Sequence, residues 1–290
     1  MTTKSNLTHT KNNLNDFANN NFKQLSSKAA LFPFFILILV LALMFFNGGI
    51  YVENYIVIQQ KHFFQINAFL SNYKALLYNL TQLGDALIFL PFLTVLIIYA
   101  PKFWQHLLTS LVFSAFISNI LKKLLAVPRP AAIINNESFV ILGEKLSGST
   151  SLPSGHSIAT FTILTLILFA FTPRKKNLKW LWVFFIFISG IIIVCTRIGV
   201  GAHYPLDVVV GGALGSAMSI LGVLFNRKFN FWRWTEDWKY YPIFIFLFFV
   251  WAIVLINKII MLNLIIFYFS LASLIISFFI LINVYIKKKY

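Results

Sequence analysis

The stretch Leu152-Pro153-Ser154-Gly155-His156-Ser157 is where a polar, turn-forming run leads directly into a long apolar segment. Ser154 is a favourable N-cap residue, and Gly155 lets the backbone approach a bound group closely. The predicted helix that follows directs its free amides and the positive end of its dipole at this turn, which is typical of an anion site, above all for phosphate. His156 lies where it could give a proton to a group attached to that anion. An ordinary capped helix start with a chance histidine is the alternative.

The composition around this turn is that of a membrane protein. Of the 290 residues, 59% are hydrophobic and only 11% are charged, which a soluble domain does not show. The formal net charge of +16 could suit nucleic acid, but the basic residues lie mostly in short loops beside apolar runs, where they act as topology signals. Cys195 is the single cysteine, so an intramolecular disulfide is excluded, and we interpret it as an apolar helix residue.

Eight apolar segments predict transmembrane helices, because about 20 apolar residues cross ~30 Å of hydrocarbon. They are Ala30–Ile50, Leu83–Ala100, Trp104–Leu121, Ser157–Phe171, Leu178–Thr196, Leu206–Phe225, Tyr241–Ile256 and Ile259–Ile286. We therefore expect an all-α, polytopic membrane helix bundle, with a six-span core in residues 30–225 and two additional C-terminal spans in residues 226–290. Residues 1–29 are rich in Asn, Lys, Ser and Thr and predict a polar cytoplasmic tail that is disordered or loosely surface-bound, without a cleavable signal.

The basic residues predict the orientation of these spans. With the N-terminus inside, sixteen of the 24 Lys and Arg fall on the inner side and eight on the outer side, which indicates that both termini are cytoplasmic. Residues 51–82 then lie outside, and their mixture of apolar and polar side chains predicts one or two amphipathic helices in the outer interface. They could guide a lipid towards a site, although packing on the outer leaflet is the simpler interpretation. In the sixth span, the small residues Gly211, Gly212, Gly215 and Ser216 predict close helix packing.

A second cluster with possible chemistry lies at the outer end of the third span. Lys122 and Arg129 are seven positions apart, about two helical turns, so they share a face of the helix. Pro128 and Pro130 end the helix and fix how Arg129 projects. Cations snorkelling to lipid head groups are the alternative, which suits Lys123 better than Arg129. We therefore expect Arg129 to contact a specific anion.

A third cluster joins the fifth and sixth spans on the same predicted side. It consists of Thr196-Arg197, then His203 after five residues and Asp207 after three more. Pro205 suits the first turn of the sixth helix, and Asp207 then lies in that turn. A carboxylate near His203 can accept a hydrogen bond from one ring nitrogen, which fixes the tautomer and leaves the other nitrogen as a nucleophile or base. A structural Arg–Asp pair is the alternative, but charged groups within a membrane domain are usually functional.

Together the three clusters resemble the signature of the type 2 phosphatidic acid phosphatase family, the membrane relatives of the vanadium haloperoxidases. The family pattern is Lys, six residues, Arg-Pro; then Pro-Ser-Gly-His; then Ser-Arg, five residues, His, three residues, Asp. This chain departs from it only at Thr196, where the family usually has serine. The resemblance covers about Leu83 to Phe225, and the last two spans depart from the family's six-span core.

The resemblance implies a role for each matching residue. His203 would attack phosphorus and become a phosphohistidine, Asp207 would orient it, and His156 would protonate the leaving oxygen and later activate water. The phosphoryl oxygens would be held by Lys122, Arg129, Arg197, Ser154 and the amide of Gly155. No cofactor or metal is implied, and no cluster with metal-ligand spacing is visible in the sequence.

We therefore expect an integral inner-membrane enzyme with a periplasmic or external site that removes a terminal phosphate from a lipid phosphate or pyrophosphate. Undecaprenyl pyrophosphate, phosphatidylglycerol phosphate, phosphatidic acid and lipid A are the candidate substrates, and the lipid bilayer is the expected partner. A phosphotransferase that passes the phosphoryl group to a second lipid stays open, whereas eight spans argue against a haloperoxidase.

A transporter is the alternative from another class of protein. It would need ionisable residues near mid-membrane, but the three clusters all lie at span ends. Asp85 comes nearest to an intramembrane carboxylate and could simply cap a helix.

Overall fold

A computed structural model describes residues 14–289, in which every regular element is helical. The longer helices are residues 14–24 (α1), Leu31–Phe46 (α2), Val52–Leu70 (α3), Lys74–Gln82 (α4), Pro101–Leu125 (α5), Gly155–Ala170 (α6), Lys176–Gly199 (α7), Pro205–Phe229 (α8), Tyr241–Leu262 (α9) and Ile265–Lys289 (α10). Six helices of the described chain are long and apolar enough to cross a membrane, or seven if one bent pair is a single span. The expected all-α polytopic bundle is confirmed.

Several helix ends follow directly from local sequence. Pro101 and Pro205 occupy the first positions of α5 and α8, where a backbone N–H would have no helical partner. Asn263 ends α9 in the left-handed conformation, with φ of 46°, which asparagine tolerates better than most residues. The proline positions are local signals that the sequence shows by itself. The predicted boundary between the last two spans, at residues 257–258, is wrong, because α9 continues to Leu262.

The predicted span Leu83–Ala100 is wrong as a continuous helix. The segment forms three short helical turns, Ala86–Phe89, Leu90–Leu93 and Leu96–Tyr99, and its first part is bent by 80° from the preceding helices. Pro91 lies inside the break, where it lacks an N–H to donate. Asp85 caps the first turn by accepting from Leu87 N at 2.9 Å, as the sequence suggested. The break leaves backbone carbonyls that need partners from elsewhere.

The C-terminal helices α9 and α10 supply some of those partners. They pack on each other and on the broken segment through side-chain donors to its carbonyl oxygens: Trp251 to Leu87 at 2.8 Å, Ser270 to Ile88 at 3.0 Å and Ser273 to Pro91 at 3.1 Å. Lys258 also lies 3.4 Å from Asp85. The two additional helices therefore complete the packing of this irregular, apolar segment.

The expectation of a disordered or loosely surface-bound N-terminal segment is wrong for residues 14–29. Ala18 and Phe22 are fully buried, and the Phe22 ring lies 4.4 Å from the ring of His106. Spacing of four positions puts Ala18 and Phe22 on one helical face, which explains why α1 packs on the bundle despite its polar composition. Residues 1–13 of the predicted tail lie outside the described residues.

Helix α8 runs through the centre of the bundle with its glycine face against α5 and α6. A Cβ atom at Gly215 would lie 2.3 Å from the carbonyl oxygen of Ile158, and one at Gly222 would lie 2.4 Å from Ser110 Oγ. No side chain fits at distances this short, so the two glycines let the backbone of α8 pack directly against α5 and α6. The predicted close packing of the sixth span is confirmed, and it brings the N-terminus of α8 beside that of α6.

Candidate active site

His203 and Asp207 form a buried pair at the junction between α7 and α8. His203 lies in the loop and Asp207 in the first turn of α8, and their Nδ1 and Oδ2 atoms are 3.4 Å apart. The side chains are 2% and 0% exposed, so water does not screen the interaction. An ionised carboxylate only accepts hydrogen bonds, and we therefore assign the ring proton to Nδ1.

Arg129 contacts the other nitrogen of the same ring. Its Nη1 atom lies 3.3 Å from His203 Nε2 and also donates to the Ala202 carbonyl at 3.2 Å. A guanidinium can only donate, so Nε2 must present its lone pair, in agreement with a proton on Nδ1. The pair of contacts leaves a neutral imidazole with its nucleophilic nitrogen beside a cation.

The Asp207 carboxylate is held by three further donors. Tyr55 donates its hydroxyl to Oδ1 at 2.6 Å, while Ser151 Oγ and the Tyr204 amide donate to Oδ2 at 2.5 and 2.9 Å. Sequence reasoning missed Tyr55 and Ser151. Ser151 could have been suspected from its place just before the opening turn, but Tyr55 is 152 positions from Asp207, and no local signal connects them.

The turn before α6 has the capped geometry that the sequence predicts. Ser154 Oγ accepts from the Ser157 amide at 3.4 Å and from its hydroxyl at 2.9 Å. The Ser154 amide donates to the Asp207 carbonyl at 3.0 Å, which ties this turn to α8. A Cβ at Gly155 would lie 3.1 Å from Lys122 Nζ, so the ammonium group lies against the helix N-terminus. Ammonium and helix amides together favour an anion there.

Arg197 is buried at the C-terminal end of α7, with 7% of its surface exposed. Its Nη1 donates to Thr81 Oγ1 at 2.8 Å, but Nε has no acceptor among the described residues. Leaving such a donor unpaired in the interior is costly, so an acceptor such as a phosphate oxygen fits beside it. Thr196, the one departure from the family pattern, turns its hydroxyl back to the Ile193 carbonyl of its own helix.

His156 lies in the first turn of α6, beside the other charged groups. Its side chain packs on Gly84, where a Cβ atom would come within 2.8 Å of His156 Cβ. It lies within electrostatic range of Arg197, His203, Lys122 and Arg129. The structure therefore brings the predicted residues to one end of the bundle: Lys122, Arg129, Ser154, Gly155, His156, Arg197, His203 and Asp207. The part each plays in a reaction stays a prediction.

Burial sets the protonation state of His203. Desolvation lowers its pKa from 6.5 to about 4, the hydrogen bond and negative charge of Asp207 oppose this shift, and the charges of Arg129 and Arg197 add to it. The imidazole is therefore neutral at neutral pH, as a nucleophile requires. Among residues 14–289, no three His, Cys, Asp or Glu side chains lie together as a metal-binding group.

Comparison with known proteins identifies relatives over this part of the chain. Residues 103–231 match the model of the PAP2 superfamily. The chain is 31% identical over 147 residues to an undecaprenyl-diphosphatase of Sulfolobus acidocaldarius, an alignment that covers 50% of this chain and 66% of the relative. It is 34% identical over 129 residues to a lipid A 1-phosphatase of Rhizobium etli, covering 43% and 50%. The chain thus aligns with about half to two thirds of the length of these relatives.

Among solved structures, the crystal structure of Aquifex aeolicus LpxE matches with a TM-score of 0.48 and 25% identity, over 58% of this chain and 95% of that one.

Proposed function

Because the chain belongs to the PAP2 superfamily, we propose that it is an integral membrane phosphatase that removes a terminal phosphate from a lipid phosphate or pyrophosphate. The observation that carries this proposal is the placement of His203 between Asp207 on Nδ1 and Arg129 on Nε2. This arrangement presents a neutral, oriented nitrogen beside a cation that can hold the group it attacks.

In the proposed reaction, the lone pair on His203 Nε2 attacks phosphorus while the bond from phosphorus to the leaving oxygen breaks. His156 gives its proton to that oxygen, and the lipid product leaves behind a phosphohistidine. His156 then takes a proton from water, whose oxygen attacks phosphorus and releases inorganic phosphate together with the free imidazole. Asp207 keeps the proton on Nδ1 and stabilises the positive charge that the ring gains during attack.

Three cations surround the position of the transferred phosphoryl group. Lys122 lies against the α6 amides, Arg129 contacts His203, and the Nε donor of Arg197 has no acceptor within residues 14–289. A phosphate group carries a charge near −2, and its transfer needs positive groups on the equatorial oxygens. Arg129 moves from its hydrogen bond with Nε2 to a phosphoryl oxygen when substrate binds.

A lipid substrate is favoured because the site lies at the ends of membrane helices. The undecaprenyl-diphosphatase and lipid A 1-phosphatase relatives make undecaprenyl pyrophosphate and lipid A the first substrates to test, followed by phosphatidylglycerol phosphate and phosphatidic acid. We place the site on the periplasmic or external face and both termini in the cytoplasm, on the charge asymmetry of sixteen against eight basic residues.

The proposal is tested by phosphate release from these four lipids with purified protein, with and without a chelator. His203→Asn keeps a side chain that can donate towards Asp207 but removes the nucleophile, so we expect at least a roughly 10³-fold loss of release. His62→Asn is the matched control, because His62 is exposed on α3. Acid-labile, alkali-stable label on the wild-type protein after a quench with radiolabelled lipid would support the phosphohistidine.

Full activity of His203→Asn would overturn the mechanism, and strong inhibition by chelator would overturn its metal-independence. Transfer of the label to a second lipid without free phosphate would identify a phosphotransferase that uses the same intermediate.

A further inference from the structure

One face of α3 is buried against the segment that carries His203 and against Phe139 and Val140 of the preceding loop. Tyr55, Gln59, Phe63 and Asn67 follow at intervals of four residues and are 1%, 3%, 0% and 1% exposed. Residues four apart lie on the same side of a helix, so this is a continuous buried stripe. The stripe lies outside residues 103–231, the part that matches the family.

The stripe is bonded to both ends of the loop that holds His203. Gln59 Oε1 accepts from the Leu206 amide at 2.9 Å, at the start of α8. Asn67 Nδ2 donates to the Ile198 and Gly199 carbonyls at 3.2 and 2.9 Å, at the end of α7. These are backbone groups at helix termini, where partners within the helix are lacking, although the Ile198 carbonyl also accepts from the Gly201 amide at 3.0 Å. Helix α3 therefore fixes the two ends of the loop relative to each other.

Tyr55 connects α3 directly to the pair formed by Asp207 and His203. Its hydroxyl donates to Asp207 Oδ1 at 2.6 Å, and Asp207 Oδ2 faces His203. We infer that Tyr55 is a positioning residue for the reaction at His203, acting through Asp207; this inference rests on the proposed function. A buried hydrogen bond to a charged acceptor is stronger than one between neutral groups. The bond from Tyr55 therefore restrains the rotation of the Asp207 carboxylate.

Removing the Tyr55 hydroxyl leaves Oδ1 without the one side-chain donor the structure gives it. Oδ2 keeps its contacts with Ser151 Oγ and the Tyr204 amide, but the carboxylate is no longer fixed at Oδ1. Its alignment with His203 Nδ1 is therefore weakened, and the ring is held less firmly with Nε2 unprotonated and directed at phosphorus. The interaction matters most when the ring becomes positively charged during attack, so its loss acts on the transition state more than on substrate binding.

The test measures kcat and KM for Tyr55→Phe on whichever lipid phosphate the wild type hydrolyses best. We expect kcat to fall about tenfold with KM changed less than about twofold, because a hydrogen bond to a charged group is lost only from the oriented state. Tyr241→Phe is the matched control, since Tyr241 is also 1% exposed but lies on α9, away from the site. Wild-type kcat in Tyr55→Phe would overturn the inference.

A double-mutant cycle distinguishes positioning of His203 through Asp207 from mechanical support of the loop alone. If Tyr55 acts through Asp207, then Tyr55→Phe changes kcat less than about twofold in an Asp207→Asn background, because neighbouring groups that act as a unit are not additive. A further tenfold loss in that background would show that Tyr55 merely braces the loop, and would overturn the inference.

This comparison also covers the case in which Tyr55→Phe alone does not fold. The double variant removes the buried negative charge together with the Tyr55 donor, and replacing both partners of a hydrogen bond costs less than removing one. The proposed function would instead be contradicted by full activity of the His203→Asn variant. Failure of the proposed function and failure of this inference are therefore distinguishable.

Discussion

At the scale of the residue, His203 shows how burial prepares a side chain for its chemistry. Its pKa lies at about 4 in the folded protein and at 6.5 without the fold, because desolvation outweighs the attraction of Asp207. Between these two values the unfolded chain binds a proton at His203 that the folded chain does not. The contribution of this group to stability is therefore complete above pH 6.5 and is lost as the pH falls towards 4. We predict that the His203 ring titrates near pH 4, and that stability decreases as the pH falls through this window. Nitrogen NMR of histidine-labelled protein in micelles measures the midpoint, with His203→Asn identifying the resonance. A midpoint at or above 6.5 would contradict the account of burial.

At the scale of the element, the glycine face of α8 decides how closely the site can assemble. We predict that Gly215→Ala destabilises the protein by about 1–3 kcal/mol, because its Cβ atom would lie 2.3 Å from the Ile158 carbonyl and a backbone would have to move. Thermal unfolding in detergent checks this, with Gly148→Ala as the control, since a Cβ there meets nothing within 4 Å. Equal melting temperatures for the two variants would show that α6 and α8 do not pack as closely as described. The shifted helices would also separate Ser154 from the Asp207 carbonyl, so reduced phosphate release should accompany the loss of stability.

At the scale of the whole molecule, α9 and α10 support a site to which they contribute no residue. They hold the broken segment after α4, and Gly84 at its start packs directly on His156. We predict that Ser270→Ala lowers stability by about 1 kcal/mol, because it deprives the buried Ile88 carbonyl of its side-chain donor. Ser277→Ala is the matched control: Ser277 is buried on the same helix but donates to Ser273 of its own helix. The prediction is checked by the difference in melting temperature between the two variants, and a larger loss in Ser277→Ala would contradict it.

By itself the sequence determined the membrane class, most of the long helices, their Pro and Ser boundaries, and the residues of the three clusters. These features depend on composition and on neighbours within a turn or two of helix, such as the Ser154 cap and Pro205 at the start of α8. Only the tertiary structure decided that Leu83–Ala100 breaks, that residues 14–24 pack as a helix, and that Tyr55 meets Asp207. Each of these rests on groups far apart in the chain, as with Ser270 and Ile88, which are 182 positions apart. A buried polar group is stable only with a partner, and the sequence names the group but not the distant segment that folding brings to it.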